Sequence, residues 1–505
     1  MLLGVLAPIL AVPVPPLTDY PNHLARAVFL AYGAHDPVMR AMFVQRWGVI
    51  PNLATDLVLP PLMHVLPALD SGRVAVALAV LLPTTGCVAF SRAWSGRRSL
   101  WALGSGFVAY NTMFLIGVLN FEISVGVALW GAACWTTLAS TRLWLAGLTG
   151  IVFATTAFFC HLFGFAFYAL LIGCVELARI DQRGFSTQAA RRSAAARCGA
   201  VGLALALPAV LYLMAPFAAA GGQVYWQSPG KKFDMLLVPL LAYSRPAALA
   251  AAAALGAPLL LWGWRRQLRV ARAALYAVPL LLMVYALLPV GAKGGYWIDT
   301  RIPVLLGFLL FALVTPRGVP PWQGWLATLS LASMFTLRMA SITRIWLHAQ
   351  PEIAEVRQVL RPVRAGSRVL VVDGNSGKDS DALGAAAAHG FGGVYRHYGA
   401  FAFIDERAFW SDAFTLPGQQ PVAARPPYTL SGDGGLSPPR PYSRLVAATD
   451  PVSDDPARFM DGWLGKEDYV LLLNAPAAHN PARLLPRYIT PIAQTPSAIL
   501  FAVKR

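Results

Sequence analysis

Apolar runs of bilayer-crossing length recur along the first two-thirds of the chain, and they leave little choice of fold. They fall at residues 1–16, 73–93, 100–119, 121–139, 143–159, 161–178, 198–217, 246–264, 273–290, 302–316 and 322–340. A hydrocarbon layer of about 30 Å is crossed by ~20 helical residues. Helices meet the demand of lipid that every backbone polar group be paired within the segment. The pattern therefore predicts an α-helical polytopic membrane protein with about eleven transmembrane helices, with either one or two of them inside 143–178. The first run is short for a span. It lacks a basic leader and an obvious cleavage site, so it reads as a retained helix rather than a signal peptide. Residues Met235 to Tyr243 form an apolar piece too short to span, expected to lie at the membrane interface.

Charge orients these helices. The chain carries 41 Lys and Arg against 24 Asp and Glu, a net +17. Residues 341–505 hold 17 basic and 15 acidic residues, so residues 1–340 hold 24 and 9. With the N-terminus inside, 14 of those 24 basic residues, among them Arg92, Arg97, Arg98, Arg142, Arg265, Arg266 and Arg317, fall in short inner loops. Asp19, Asp36, Asp56, Asp70, Glu122, Asp234 and Asp299 fall outside; Glu176 and Asp181 fall inside. The basic excess thus serves orientation and anionic lipid. No aromatic-rich basic platform is present, which argues against nucleic acid as a partner. The five cysteines, at 87, 134, 160, 174 and 198, lie in or beside apolar runs and form neither a disulfide framework nor a CxxC metal motif.

Two parts follow: a transmembrane domain over 1–340, whose first outer loop covers 17–72, and an extracytoplasmic α/β domain over 341–505. In the second part Ile353, Val356 and Leu360 share a helical face over 351–362, and 368–373, 469–474 and 498–503 read as buried strands. Residues 416–444, rich in Pro and Gly, read as a long loop.

Polar groups gather on the outer side. Asp19-Tyr-Pro-Asn22-His23-Leu-Ala-Arg26 places a carboxylate, an amide, an imidazole and a guanidinium within eight residues, directly after the first apolar run. Pro21 suits a first helical turn, so Asp19 either caps that helix or serves as a general base. Asn52-Leu-Ala-Thr-Asp56 either adds a second carboxylate or caps another helix. Asn120 and Glu122 occupy a short outer link, and His161 lies where two apolar runs meet; each is either packed or lines a polar cavity. Lys231, Lys232 and the segment Lys293 to Arg301 lie among Tyr225, Trp226, Tyr296 and Trp297, as interfacial anchors or as a phosphate clamp. Arg301 is the better phosphate candidate, or else the partner of Asp299. The run Asp373 to Asp379 has two residues where a phosphate-binding P-loop needs four, and is not one. His389, His397 and Tyr398 either face the membrane site from above or lie at the surface, the second being the expectation. A divalent metal on Asp19, Asp56 or Glu122 is compatible with the residue types but has no support in their spacing.

On Asp19 to Arg26 and Asn52 to Asp56, with the further support of Tyr110 to Asn120 and Asp299-Thr-Arg301, the chain resembles the GT-C superfamily of integral membrane glycosyltransferases. The resemblance covers the whole architecture, from the many spans and the acid after the first helix to the C-terminal outer domain. It implies a multi-pass protein of the bacterial inner membrane with a cytoplasmic N-terminus and an extracytoplasmic C-terminal domain. It also implies a sugar donor linked to polyprenyl phosphate, and an envelope glycan, lipid or protein as acceptor. Asp19, with His23 and Asp56, would be catalytic. Asn22, Arg26, Asn120, Glu122, His161, Lys231, Lys232, Asp299 and Arg301 would bind substrate, with Arg301 and the lysines on phosphate. In one respect the chain departs from the pattern, since Tyr20 stands where many members carry a second acid. Two other readings compete: a transporter or flippase of lipid-linked saccharide, and a non-catalytic scaffold in envelope polysaccharide assembly. Transporters tend to place polar sites at the midplane, often between internal repeats. Here the polar groups collect at one rim and no repeat is evident, which ranks transfer first.

Overall fold

The computed structural model describes residues 1–216, 224–293, 295–374, 397–416, 418–428, 440–441, 445, 460, 462–474 and 488–504. The architecture is compatible with an α-helical membrane protein, and 65% of it is helical. Among the described residues, seven helices are long and apolar enough to cross a membrane: Ala68–Ser95, Leu119–Leu138, Leu143–Cys160, Leu162–Arg183, Gln188–Met214, Arg245–Trp264 and Pro321–Leu360. Shorter apolar helical stretches occupy the other predicted runs, at Leu2–Ala11, Leu100–Ile116, Ala274–Leu287 and Arg301–Leu313. At about 1.5 Å per residue these are too short to cross 30 Å of hydrocarbon as straight helices.

Local chemistry explains the breaks. The first helix stops at Ala11, ahead of Pro13, Pro15 and Pro16, which have no N–H to give. The stretch from Leu100 is a 3-10 turn followed by two short helices, interrupted at Asn111, whose side chain accepts the Phe114 N–H. Gly117, at φ +94°, then turns the chain into Leu119–Leu138. The uncertain run 143–178 is two helices separated by His161, whose backbone is extended.

The chain divides into two compact units. One comprises residues 1–8, 49–54 and 76–342; the other comprises 9–48, 55–75 and 343–505. In the first unit residues 51–53 are stitched to the break at His161: Leu53 N–H donates to Phe159 O, and Leu162 N–H to Pro51 O. Within residues 235–243, Val238 and Leu241 are buried and their carbonyls accept from Thr112, while Leu236 is 43% exposed.

The second unit contains a mixed sheet. Arg368–Asp373 lies parallel to Tyr469–Leu473, to Phe409–Trp410 and to Arg440–Pro441. Tyr469–Leu473 also pairs antiparallel with Ala498–Val503, which pairs in turn with Ile489–Gln494. Leu370, Val372, Val470, Leu472, Ile499 and Phe501 form one core with Trp463. A separate ribbon, Phe43–Gln45 against Val422–Ala424, fastens the first predicted loop to the late chain. Ile353, Val356 and Leu360 are buried as their spacing implied, but their helix is continuous from Pro321, with Pro351 inside it. His389, most of the run Asp373 to Asp379 and much of 416–444 lie outside the described residues.

Candidate functional site

Helix Tyr20–Tyr32 begins with Pro in its first turn, where a missing N–H costs nothing. Its winding sets Asn22 and Arg26 one turn apart, with His23 beside them. All three are buried, as are Thr55 and Asp56 from the second predicted motif. Arg26 grips Asp56 with two parallel hydrogen bonds, Nε to Oδ1 at 2.5 Å and Nη2 to Oδ2 at 2.9 Å. Asp56 is therefore the counter-ion of a buried guanidinium, with both its oxygens engaged.

The same Nη2 lies 3.1 Å from His23 Nδ1, and Thr55 Oγ1 lies 3.4 Å from it. A guanidinium can only donate, so Nδ1 accepts and the His23 proton sits on Nε2. Burial lowers the His23 pKa to about 3; Arg26 and His397 push the same way and Asp19 opposes them. His23 is neutral, and its ring meets Phe414 edge-on at 5.6 Å. One Arg26 nitrogen, Nη1, has no partner among the described residues. The neighbouring cavity, lined by Arg26, Phe29, Phe43, Trp410 and Phe414, measures about 10 Å³. That is room for one water at most, and no sugar pocket.

Asp19 stands at the N-cap position but its side chain does not cap the helix. Its Oδ1 instead lies 3.3 Å from Nε2 of His397, and its side chain is 18% exposed while that of His397 is fully buried. His397 Nδ1 meets the Asn22 amide nitrogen at 3.1 Å. Asn22 is anchored on two backbone groups, donating to Asp412 O at 2.8 Å and accepting from Phe414 N–H at 2.9 Å. The expectation that His397 and Tyr398 lie at the surface is thus corrected: both are 1% exposed. Nothing local marked His397 as a member of this cluster. Asp412 and Phe414 join it through backbone atoms, which leave no signature in side-chain pattern. Tyr20, in the place of a second acid, is a packing residue, 1% exposed against Gly72 and hydrogen-bonded to Leu69 O at 3.5 Å.

The remaining predicted residues belong to the first unit. Asn120 donates from its amide to Asn52 O and Oδ1, both at 2.9 Å. Glu122 is fully buried and accepts from the Asn111 amide at 2.8 Å. His161 caps the following helix, its Nδ1 accepting from Phe163 N–H at 3.1 Å. The Arg301 guanidinium lies 5.9 Å from the ring centre of Phe121 and 5.2 Å from that of Phe163, the two rings that also flank His161. Asp299 faces Lys232 at 3.4 Å and accepts from the Thr300 hydroxyl. Lys232 also donates to the carbonyls of Tyr285, Ala286 and Leu288 and so closes the end of helix Ala274–Leu287. Lys231, on the same short helix Pro229–Met235, is exposed. Among the described residues no three His, Cys, Asp or Glu side chains converge as a metal-ligand set. Comparison with known proteins found no matching family model, and no match among curated proteins or solved structures.

Proposed function

We propose that this chain is a membrane glycosyltransferase of the GT-C type. It would move a sugar from a polyprenyl-phosphate donor to an acceptor on the extracytoplasmic face of a bacterial inner membrane. Asp19 takes the proton of an acceptor hydroxyl, whose oxygen attacks the anomeric carbon. The bond from that carbon to the phosphate oxygen breaks, and polyprenyl phosphate leaves with the electron pair. Because the leaving group is good, the protein's work is mainly positioning and charge stabilisation. Arg301 and Lys231 are the phosphate-binding candidates, while Lys232 is engaged in closing a helix end.

One observation carries the reading. Asp19 is the partly exposed end of a polar chain whose other side chains, Asn22 and His397, are buried. A carboxylate that merely capped a helix would have no use for a buried imidazole behind it. The glycolipid and glycan profile of a deletion strain, complemented with wild type or with Asp19→Asn, tests this. Loss of one glycoconjugate on deletion, restored by wild type and not by a normally accumulating Asp19→Asn protein, is the expected result. Restoration by Asp19→Asn removes the base and favours a scaffold role. Sidedness is tested separately with a membrane-impermeant maleimide on intact cells. A cysteine placed at exposed Arg361 should react while exposed Cys198 stays protected; the reverse pattern overturns the orientation.

A further inference from the structure

Asp19 meets an imidazole whose own orientation is decided elsewhere. The Phe414 N–H can only donate, so the atom it meets is the Asn22 amide oxygen. The Asn22 amide nitrogen therefore points the other way, toward the Asp412 carbonyl and His397 Nδ1. A donor aimed at Nδ1 makes that ring nitrogen the acceptor and leaves the proton of neutral His397 on Nε2. Nε2 is the atom that faces Asp19, at 3.3 Å. Phe414 also holds the His397 ring edge-on, 4.8 Å between centres and 70° between planes. The backbone at 412–414 thus fixes an amide, the amide fixes a tautomer, and the tautomer presents an N–H to the carboxylate.

From this geometry we infer that His397 is a positioning residue for Asp19, holding its Nε2 edge 3.3 Å from the carboxylate as an ion–dipole contact rather than an aligned hydrogen bond, and that Asn22 selects the tautomer that puts the proton on that edge. The inference rests on the reading of Asp19 as the base. It adds to that reading a residue of the late chain on which the base depends. An N–H dipole held this close to the carboxylate favours the anion, the form needed by a group that must accept a proton from a substrate hydroxyl. Among the described residues, the charged and titratable groups near this pair include His23, which is neutral, Arg26, which is paired with Asp56, and Asp412.

The test uses the purified full-length protein in detergent and needs no substrate. A water-soluble carbodiimide with glycine ethyl ester modifies protonated carboxyl groups, and peptide mass spectrometry follows Asp19 as a function of pH. His397→Phe should move the midpoint of Asp19 modification upward by about one pH unit, roughly tenfold more labelling at a pH well above both midpoints. Modification of half-exposed Asp234, which is paired with Arg245, should be unchanged in the same samples. His397→Gln, which keeps an N–H donor, should restore most of the shift, a rescue that a purely structural role would not produce. An unmoved midpoint in His397→Phe, or equal shifts in both variants, overturns the inference. A second measurement uses the wild-type chain alone, with nitrogen-15 histidine labelling. A single His397 ring proton on Nε2 is expected, and a proton on Nδ1 or an exchanging mixture is the overturning result. These readouts do not depend on turnover. If Asp19→Asn sustains glycoconjugate output while the midpoint still shifts, the base reading has failed and the His397 link has not.

Discussion

His23 should make the second unit acid-sensitive in a way that one substitution removes. Its folded pKa is about 3, below the ordinary 6.5, because burial and the Arg26 guanidinium oppose its charge. The unfolded chain therefore binds a proton between those values that the folded one refuses, and stability falls as pH falls through that window. Two-state linkage gives a loss of about 2 kcal/mol between pH 7.5 and pH 5 from this residue alone. The figure is set almost entirely by the unfolded value, since any folded value below about 4 gives the same loss at pH 5. His23→Asn is the informative variant: its amide oxygen can still accept from Arg26 Nη2, but it cannot take up a proton. Unfolding of the detergent-solubilised protein would be followed at both pH values for both chains. A difference of about 2 kcal/mol should appear in the acid-induced loss, or roughly 4–8 °C in the midpoint of a unit of a few hundred residues. A general packing defect in His23→Asn lowers stability equally at both pH values and leaves that difference intact. Equal acid sensitivity in the two proteins would refute a buried neutral imidazole.

Asp56→Ala leaves Arg26 buried without its counter-ion and should destabilise the protein by about 3–5 kcal/mol; an unchanged thermal midpoint would show that Arg26 has another partner or reaches water. Glu467 acts in the opposite sense to His23. Burial raises its pKa to about 7, with Asp468 and Asp412 adding to the effect and Arg368 and Lys466 opposing it. The stability tied to its protonation is present below about 4.5 and lost as pH rises through 7. Glu467→Gln should therefore gain about 2 kcal/mol more at pH 8 than at pH 5, and an equal effect at the two pH values would disprove the raised value.

The helical segments and the membership of Asn22, His23, Arg26 and Asp56 in one cluster were legible in the sequence. Apolar runs and the spacing of polar residues along a helix are local signals. Other features were not legible, for identifiable reasons. Asp19 reads locally as a cap, because the imidazole that takes it lies 378 positions later and no periodicity connects them. Lys232 reads as a free cation beside aromatics, although its carbonyl partners are at the end of another helix. The apolar piece at 235–243 gives no sign of the Thr112 and Arg338 side chains that satisfy its carbonyls. Apolarity records that a segment avoids water and not what it avoids water with.

The pairing of Asn22 with the backbone at 412–414 spans 390 positions, and that distance sets a timetable. At a synthesis rate of about 5–20 residues per second, the helix Tyr20–Tyr32 waits roughly 20–80 s for the strand and loop that bury it. Throughout that interval Asn22, His23 and Arg26 have no late-chain partners, so the helix is supported by early-chain contacts such as Arg26 with Asp56, Tyr20 with Leu69 and Tyr32 with Met63. Closure of this cluster thus waits on His397 and residues 412–414. A ribosome that stalls before they emerge leaves a chain with its apolar helices made and its polar cluster unassembled.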